Sequence, residues 1–206
     1  MTVTADYPNW FAQTAQQNFE NHLLPLAGKP DLRFLQLGVF TGDASKWMLD
    51  NVLYETTYTG LTDVDTWAGS DEAAHDDIDF DKVFEIYQKK MVKFTSFKKE
   101  VMYPVKICRT STVDWFLNRE EWHSWGEYDF IYIDADHTTV GVIVDAEMSW
   151  PLLMSGGIMA FDDYTWAHHT GDPRLAPQVG IDLFLHRHQG DYELLAKNDQ
   201  VWIKKR

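Results

Sequence analysis

Residues 130–133 are an uninterrupted apolar run that ends abruptly in Asp134, Asp136 and His137. The pattern returns in "GGIMAFDDYTW" (156–166), closed by Asp162 and Asp163, and in "YTGLTDVD" (58–65), closed by Asp63 and Asp65. Short apolar runs bounded by turn residues read as strands buried on both faces. Segments with helical spacing separate them. Strands that alternate with helices are constrained to an α/β fold, a mostly parallel sheet with helices on both faces, because parallel strands need crossover connections. In such open sheets ligands bind beyond the carboxyl ends of the strands. The three acid clusters therefore share one rim.

The spacing predicts an amphipathic helix over 10–28, a strand over 32–40 and a helix over 43–53. A strand over 58–65, a helix over 81–94, a strand over 104–109 and a helix over 111–117 opened by a Ser111 cap follow. The remaining elements are a strand over 128–134, a helix over 139–154, a strand over 157–163, a helix over 176–188 and a terminal antiparallel hairpin around Asn198 and Asp199. With no internal repeat and no linker-like tract, one domain over 1–206 with a helical segment at 1–30 is the simplest organisation.

Charge and cysteine content narrow the function. The net charge is −14, and no basic stripe interrupts it, so nucleic acid phosphate is repelled. One cysteine, Cys108, excludes an intrachain disulfide and a cysteine-based zinc site. No basic-then-apolar leader opens the chain and no apolar run approaches ~18–20 residues, so the expected setting is cytoplasmic, away from membranes. The expected partner is a small molecule, and homo-oligomerisation is left open.

Between the first strand and its helix stands "LQLGVFTGDAS". Gly38 permits a sharp turn, and Gly42 would let the helix start lie against a ligand whose polar groups meet free N–H donors. A carboxylate at the end of the next strand, Asp63 or Asp65, can accept both hydroxyls of a ribose. Together these describe a nucleoside-binding rim.

"FLQLGVFTGDASKWML", "LTDVDTW", "CRTSTVDWF" and "YDFIYIDADHTTVGVIVDAEMSWPLLMSGGIMAFDDY" resemble class I S-adenosylmethionine-dependent methyltransferases. With the tail "APQVGIDLFLHRHQGDYELLAKNDQVWIKK", they are similar to the small bacterial and phage-type group related to catechol-type and sugar O-methyltransferases. The resemblance implies a Rossmann-like seven-stranded sheet with the last strand antiparallel, and S-adenosylmethionine as cofactor. It implies that Gly38 and Gly42 flank the methionine part. Gln36 stands where the family usually has an acid, and can still bond the cofactor amine. Either Asp63 or Asp65 aligns with the ribose acid, Asp65 being the better match to "VDTW". Thr110 and Ser111 resemble the adenine-edge segment, and a helix cap accounts equally well for Ser111.

The strand ends at Asp134 and Asp162 become neighbours when the intervening helix crosses over. Three carboxylates, Asp134, Asp162 and Asp163, would then crowd together, and like charges that close call for compensation. A divalent cation supplies it, and all-oxygen ligation favours Mg²⁺, Ca²⁺ or Mn²⁺. The resemblance implies the same three residues as ligands of a metal that binds the acceptor oxygen. His137 is the candidate general base, with Asp136 second; Asp136 can instead cap the helix. In the metal-free alternative Asp134 faces the cofactor and His137 alone acts. Tyr164, Trp166, His168 and His169 are expected to wall the acceptor, and 67–81 reads as a rim loop or lid. The function that follows is O-methylation of a small hydroxylated molecule or sugar. Two rivals stay open: a nicotinamide-dependent oxidoreductase, and a binding protein without turnover.

Overall fold

The crossovers deliver the sheet that the alternation predicts. The computed structural model describes residues 7–54, 60–69, 78–95, 105–118, 127–166 and 171–206. Its strands are β1 (Arg33–Leu37), β2 (Gly60–Asp65), β3 (Val105–Arg109), β4 (Tyr128–Ile133), β5 (Leu153–Phe161), β6 (Tyr192–Lys197) and β7 (Val201–Lys205). They form one seven-stranded sheet in the order β3-β2-β1-β4-β5-β7-β6. Strands β1 to β5 pair in parallel, and β7 runs antiparallel to both β5 and β6. The order reverses between β1 and β4, which opens a crevice at their carboxyl ends.

Side chains alternate across each strand, so the sheet feeds two cores. On one face Phe34, Phe130, Tyr132 and Trp202 meet α1 (Gln16–Leu23), α2 (Asp43–Asn51) and α3 (Phe80–Thr95). On the other face Leu35, Leu37, Ile131 and Ile133 meet α4 (Thr112–Leu117), α5 (Thr139–Ser149) and α6 (Pro177–Arg187). Phe19 of α1 lies edge-on to Phe130, Tyr132 and Trp202, with centroids 5.7, 5.0 and 5.2 Å away. Each such pair contributes roughly 0.5–1.5 kcal/mol beyond area burial, which fastens the N-terminal helix to the middle of the sheet.

The helix expected over 139–154 ends earlier. Pro151 cannot continue it, residues Trp150–Leu152 tighten into a 3₁₀ turn, and β5 begins at Leu153. The N-terminal helix opens with a π-helical turn, Phe11–Ala15.

Asp145 is a buried polar residue between α4 and α5. It is 1% exposed, and among the described residues its Oδ2 has no hydrogen-bond partner. Burial pushes its carboxyl up to about 7, against a smaller opposing effect of Thr112. A folded-state value above the unfolded one means that the folded state holds the proton longer. Stability is then fullest below about pH 4 and is lost as pH rises toward 7. Asp145→Asn is therefore expected to raise the melting temperature at about pH 8, with an upper bound on the order of 4 kcal/mol, and to leave it unchanged near pH 4. Thermal melts of both proteins at the two pH values check this.

Candidate functional site

One register row crosses the α1–α3 face just behind the strand ends. Gln36 of β1 pairs with Asp63 of β2 on one side and with Tyr132 of β4 on the other. Three polar side chains in one row of an otherwise apolar face call for partners, and each answers differently.

Gln36 is 1% exposed and spends both ends internally: Nε2 donates to the Gly38 carbonyl at 2.9 Å, and Oε1 accepts from Ser45 at 3.0 Å. It staples β1 to α2 across the glycine turn. In that turn Gly38 has φ +80°, and a Cβ there would lie 1.8 Å from the Asp134 carbonyl oxygen. The glycine is thus required by the neighbouring strand end, and the sharp turn expected of it is present. Gly42, φ +76°, packs against Tyr87 of α3, whose ring a Cβ would meet at 2.6 Å. Packing within the protein therefore requires a glycine here.

The two acids of β2 divide their work. Asp65 accepts from the backbone N–H groups of Val39 (2.7 Å), Phe40 (3.0 Å) and Trp67 (2.6 Å). It holds the glycine turn closed, with Phe40 and Trp67 both at positive φ. Asp63 is fully buried: Oδ2 accepts from the Tyr87 hydroxyl at 2.8 Å, and Oδ1 has no partner among the described residues. Burial pushes its carboxyl up to about 7, and the Tyr87 and Ser45 hydroxyls beside it only partly offset this. Thr110 ties β3 to the same rim, its N–H reaching the Asp65 carbonyl at 2.9 Å. Ser111 caps α4, accepting from Asp114 N at 3.0 Å.

At the ends of β4 and β5 the rim turns acidic. His137 Nε2 lies 2.9 Å from Asp163 Oδ2 and 3.7 Å from Asp134 Oδ1. One donor atom from each of Asp134, His137 and Asp163 falls within 4.8 Å of the others. The metal set expected from the sequence is Asp134, Asp162 and Asp163; the geometry puts His137 in the place of Asp162. Asp162 turns the other way. Its Oδ2 accepts from the Tyr132 hydroxyl at 2.5 Å and its Oδ1 from Gln200 at 3.0 Å. Burial, then the charge of Asp162, raises the carboxyl of Asp134; burial, then Asp163, raises that of Asp162 to about 6. Asp136 is exposed and accepts from Thr138 N at 2.8 Å. It shapes the entry to α5, whose cap is Thr138.

The expected acceptor wall is only partly present. Trp166 is half-exposed, its ring 6.0 Å from that of His137. Tyr164 is buried with its hydroxyl on Asp182 at 3.1 Å, so it packs against α6 and does not face the rim. His168 and His169 lie outside the described residues. At the start of the expected lid, Trp67 is core, 1% exposed and 4.8 Å from the Tyr87 ring. Residues 70–77 lie outside the described residues.

Tyr87, Tyr132 and Gln200 escape a sequence reading. Tyr87 and Tyr132 sit in a helical and a strand pattern, and Gln200 just before β7, where a hydrophobic residue would serve equally well. The signal is their polar end at a position the periodicity assigns to the core.

A family model described as a methyltransferase domain matches residues 35–164. No curated protein matches the sequence. Among solved structures, an O-methyltransferase from Bacillus cereus in complex with SAH is similar with a TM-score of 0.58 at 14% identity, over 99% of this chain and 94% of that one. Cofactor-bound Rv0187 from MTB gives 0.62 at 14%, over 94% and 81%. CalS11, a TDP-rhamnose 3'-O-methyltransferase, gives 0.54 at 13%, over 95% and 79%. These likenesses show the Rossmann-like methyltransferase fold.

Proposed function

The chain belongs to the class I S-adenosylmethionine-dependent methyltransferases, and from that premise we propose that it methylates an oxygen of a small hydroxylated molecule or sugar, with His137 as general base. The observation that carries this is the 2.9 Å approach of His137 Nε2 to Asp163 Oδ2 on the rim beside the glycine turn. S-adenosylmethionine, when bound, would supply a methyl group activated on a sulfonium sulfur, with S-adenosylhomocysteine as the leaving group when the acceptor oxygen takes that methyl. His137 receives the acceptor's proton, and the Asp163 carboxylate steadies the imidazolium that results. Trp166 offers a flat apolar face beside it. The similarity to the Bacillus O-methyltransferase and to CalS11 supports an oxygen acceptor, and the net charge of −14 argues against nucleic acid. No helix of the described residues is long and apolar enough to cross a membrane.

Asp63 is the residue we assign to the ribose, because its Oδ1 is orphaned while Asp65 already holds three N–H donors. The two acids predict opposite results. Asp63→Asn is expected to weaken S-adenosylhomocysteine binding by about 1.5–3 kcal/mol and yet to melt no lower than the parent, since it removes a desolvated charge. Asp65→Asn is expected to melt lower, because an amide cannot accept from three backbone donors. Calorimetry and thermal melts of the pair settle it; equal loss of affinity with no difference in melting would return the ribose to Asp65.

A second reading is favoured by charge. Asp134 and Asp163 both approach the one imidazole of His137, and the donor set of Asp134, His137 and Asp163 fits a divalent cation such as Mn²⁺ or Mg²⁺. There a bound cation would lower the pKa of an acceptor hydroxyl, and His137 would be a ligand. Mn²⁺ at about 100 times its dissociation constant would then stabilise the parent by about 2.7 kcal/mol and Asp134→Asn by much less. An unchanged melt with Mn²⁺ and with EDTA would leave His137 as the base.

A further inference from the structure

We propose that the turn between β6 and β7, residues 198–200, positions the acid–imidazole rim, with Gln200 as the positioning residue and Asn18 of α1 as its anchor. The inference rests on the proposed role of His137 and Asp163. Gln200 is fully buried and 38 residues from Asp162 in sequence. Its Nε2 donates to Asp162 Oδ1 at 3.0 Å, while the Tyr132 hydroxyl donates to Oδ2 at 2.5 Å. A carboxylate gripped at both oxygens by two neutral donors cannot rotate. Gln200 is gripped in turn: Oε1 accepts from Asn18 and from the Trp202 indole, each at 2.9 Å.

The same turn holds the chain beyond Asp163. Tyr164 N donates to the Asp199 carbonyl at 2.9 Å, and the Thr165 hydroxyl donates to Asp199 Oδ1 at 2.8 Å. Asp163 is therefore fixed on both sides, and it needs to be, because its φ is +56°. A non-glycine residue keeps that conformation only where its surroundings over-determine it. The fixation aims its carboxylate at His137. An apolar side chain at 200 would suit its aromatic neighbours Tyr132 and Trp202 as well. A satisfied buried amide network instead specifies one geometry, here that of the rim.

The test reads His137 directly and needs no acceptor. In the ¹⁵N-labelled full-length chain with EDTA, at one fixed pH, the ring signals of His137 are identified by their loss in His137→Asn. Asp163→Asn supplies the reference for an imidazole without its carboxylate. Gln200→Met is expected to move the His137 signals most of the way toward that reference, and Tyr132→Phe to move them in the same direction. The other histidine signals and S-adenosylhomocysteine affinity should stay where they are. Signals of Gln200→Met that coincide with those of the parent, where Asp163→Asn shifts them, would overturn the proposal. Signals that Asp163→Asn itself leaves unmoved would overturn the reading of the rim, and this inference with it. Should Gln200→Met fail to fold, Tyr132→Phe decides by the same comparison.

Discussion

His137→Asn is expected to lower kcat by roughly 10²–10⁴-fold, the usual contribution of a positioned general base, while S-adenosylhomocysteine binds as in the parent. The separation follows from where the residue sits. His137 stands at the ends of β4 and β5 beside Asp134 and Asp163, whereas the proposed cofactor groups belong to the β1 turn and β2. Asparagine keeps a polar side chain in the turn before α5, whose cap, Thr138, is untouched. Asp163→Asn should give a smaller loss, because the base remains and only its partner's charge is removed. The measurement is S-adenosylhomocysteine release with whichever member of a panel of phenols and sugars turns over fastest. A His137→Asn enzyme as fast as the parent would remove His137 from the mechanism. A large loss that Mn²⁺ concentration modulates in the parent would favour His137 as a ligand.

The sheet and its rim are legible in the sequence because they rest on local rules. An apolar run that ends in an acid marks a strand end, and alternation with helices forces those ends to one side of the sheet. The strand and helix positions follow to within a few residues, apart from the end of α5, where Pro151 outweighs the helical pattern. What no local rule reveals is how side chains spend their hydrogen bonds. Asp63 and Asp65 stand two positions apart on one strand, and the motif favours Asp65. Only the folded turn shows that Val39, Phe40 and Trp67 occupy Asp65, while Asp63 Oδ1 has no hydrogen-bond partner among the described residues. Asp162 and Asp163 are adjacent in the same way. Which of them meets His137 depends on Gln200 and Tyr132, and Gln200 arrives from the far end of the chain. At Gly38 the sequence points to the sharp turn, and only the fold shows that the Asp134 backbone is the neighbour that demands a glycine there.

Among the glycines of the described residues outside the helices, Gly38→Ala is expected to cost the most stability. Its Cβ would lie 1.8 Å from the carbonyl oxygen of Asp134, 2.4 Å from the carbonyl carbon and 2.7 Å from the Cα of Ala135, all of them backbone. None can swing aside as a side chain can. The glycine is also pinned: its N–H donates to the Val64 carbonyl at 2.9 Å, and Asp134 N donates to the Leu37 carbonyl at 2.8 Å. Relief requires β1 and β4 to part at their carboxyl ends, which breaks the bond from Asp134 N to the Leu37 carbonyl and displaces Asp134 from the rim. Overpacking of about 1–3 kcal/mol, left-handed strain of about 1–2 and at least one lost hydrogen bond of about 1 make the loss a large part of a typical stability of roughly 5–15 kcal/mol. Two controls separate the causes. Gly28 has φ +75° with nothing within 4 Å of where its Cβ would stand, so Gly28→Ala carries the strain alone. Gly42→Ala meets the Tyr87 ring at 2.6 Å, a side chain that can tilt, and should fall between the two. Urea midpoints of the three variants should therefore rank Gly28→Ala highest and Gly38→Ala lowest. A Gly38→Ala protein as stable as Gly28→Ala would mean that the glycine turn and the Asp134 strand end do not touch, and the rim as described would have to be redrawn.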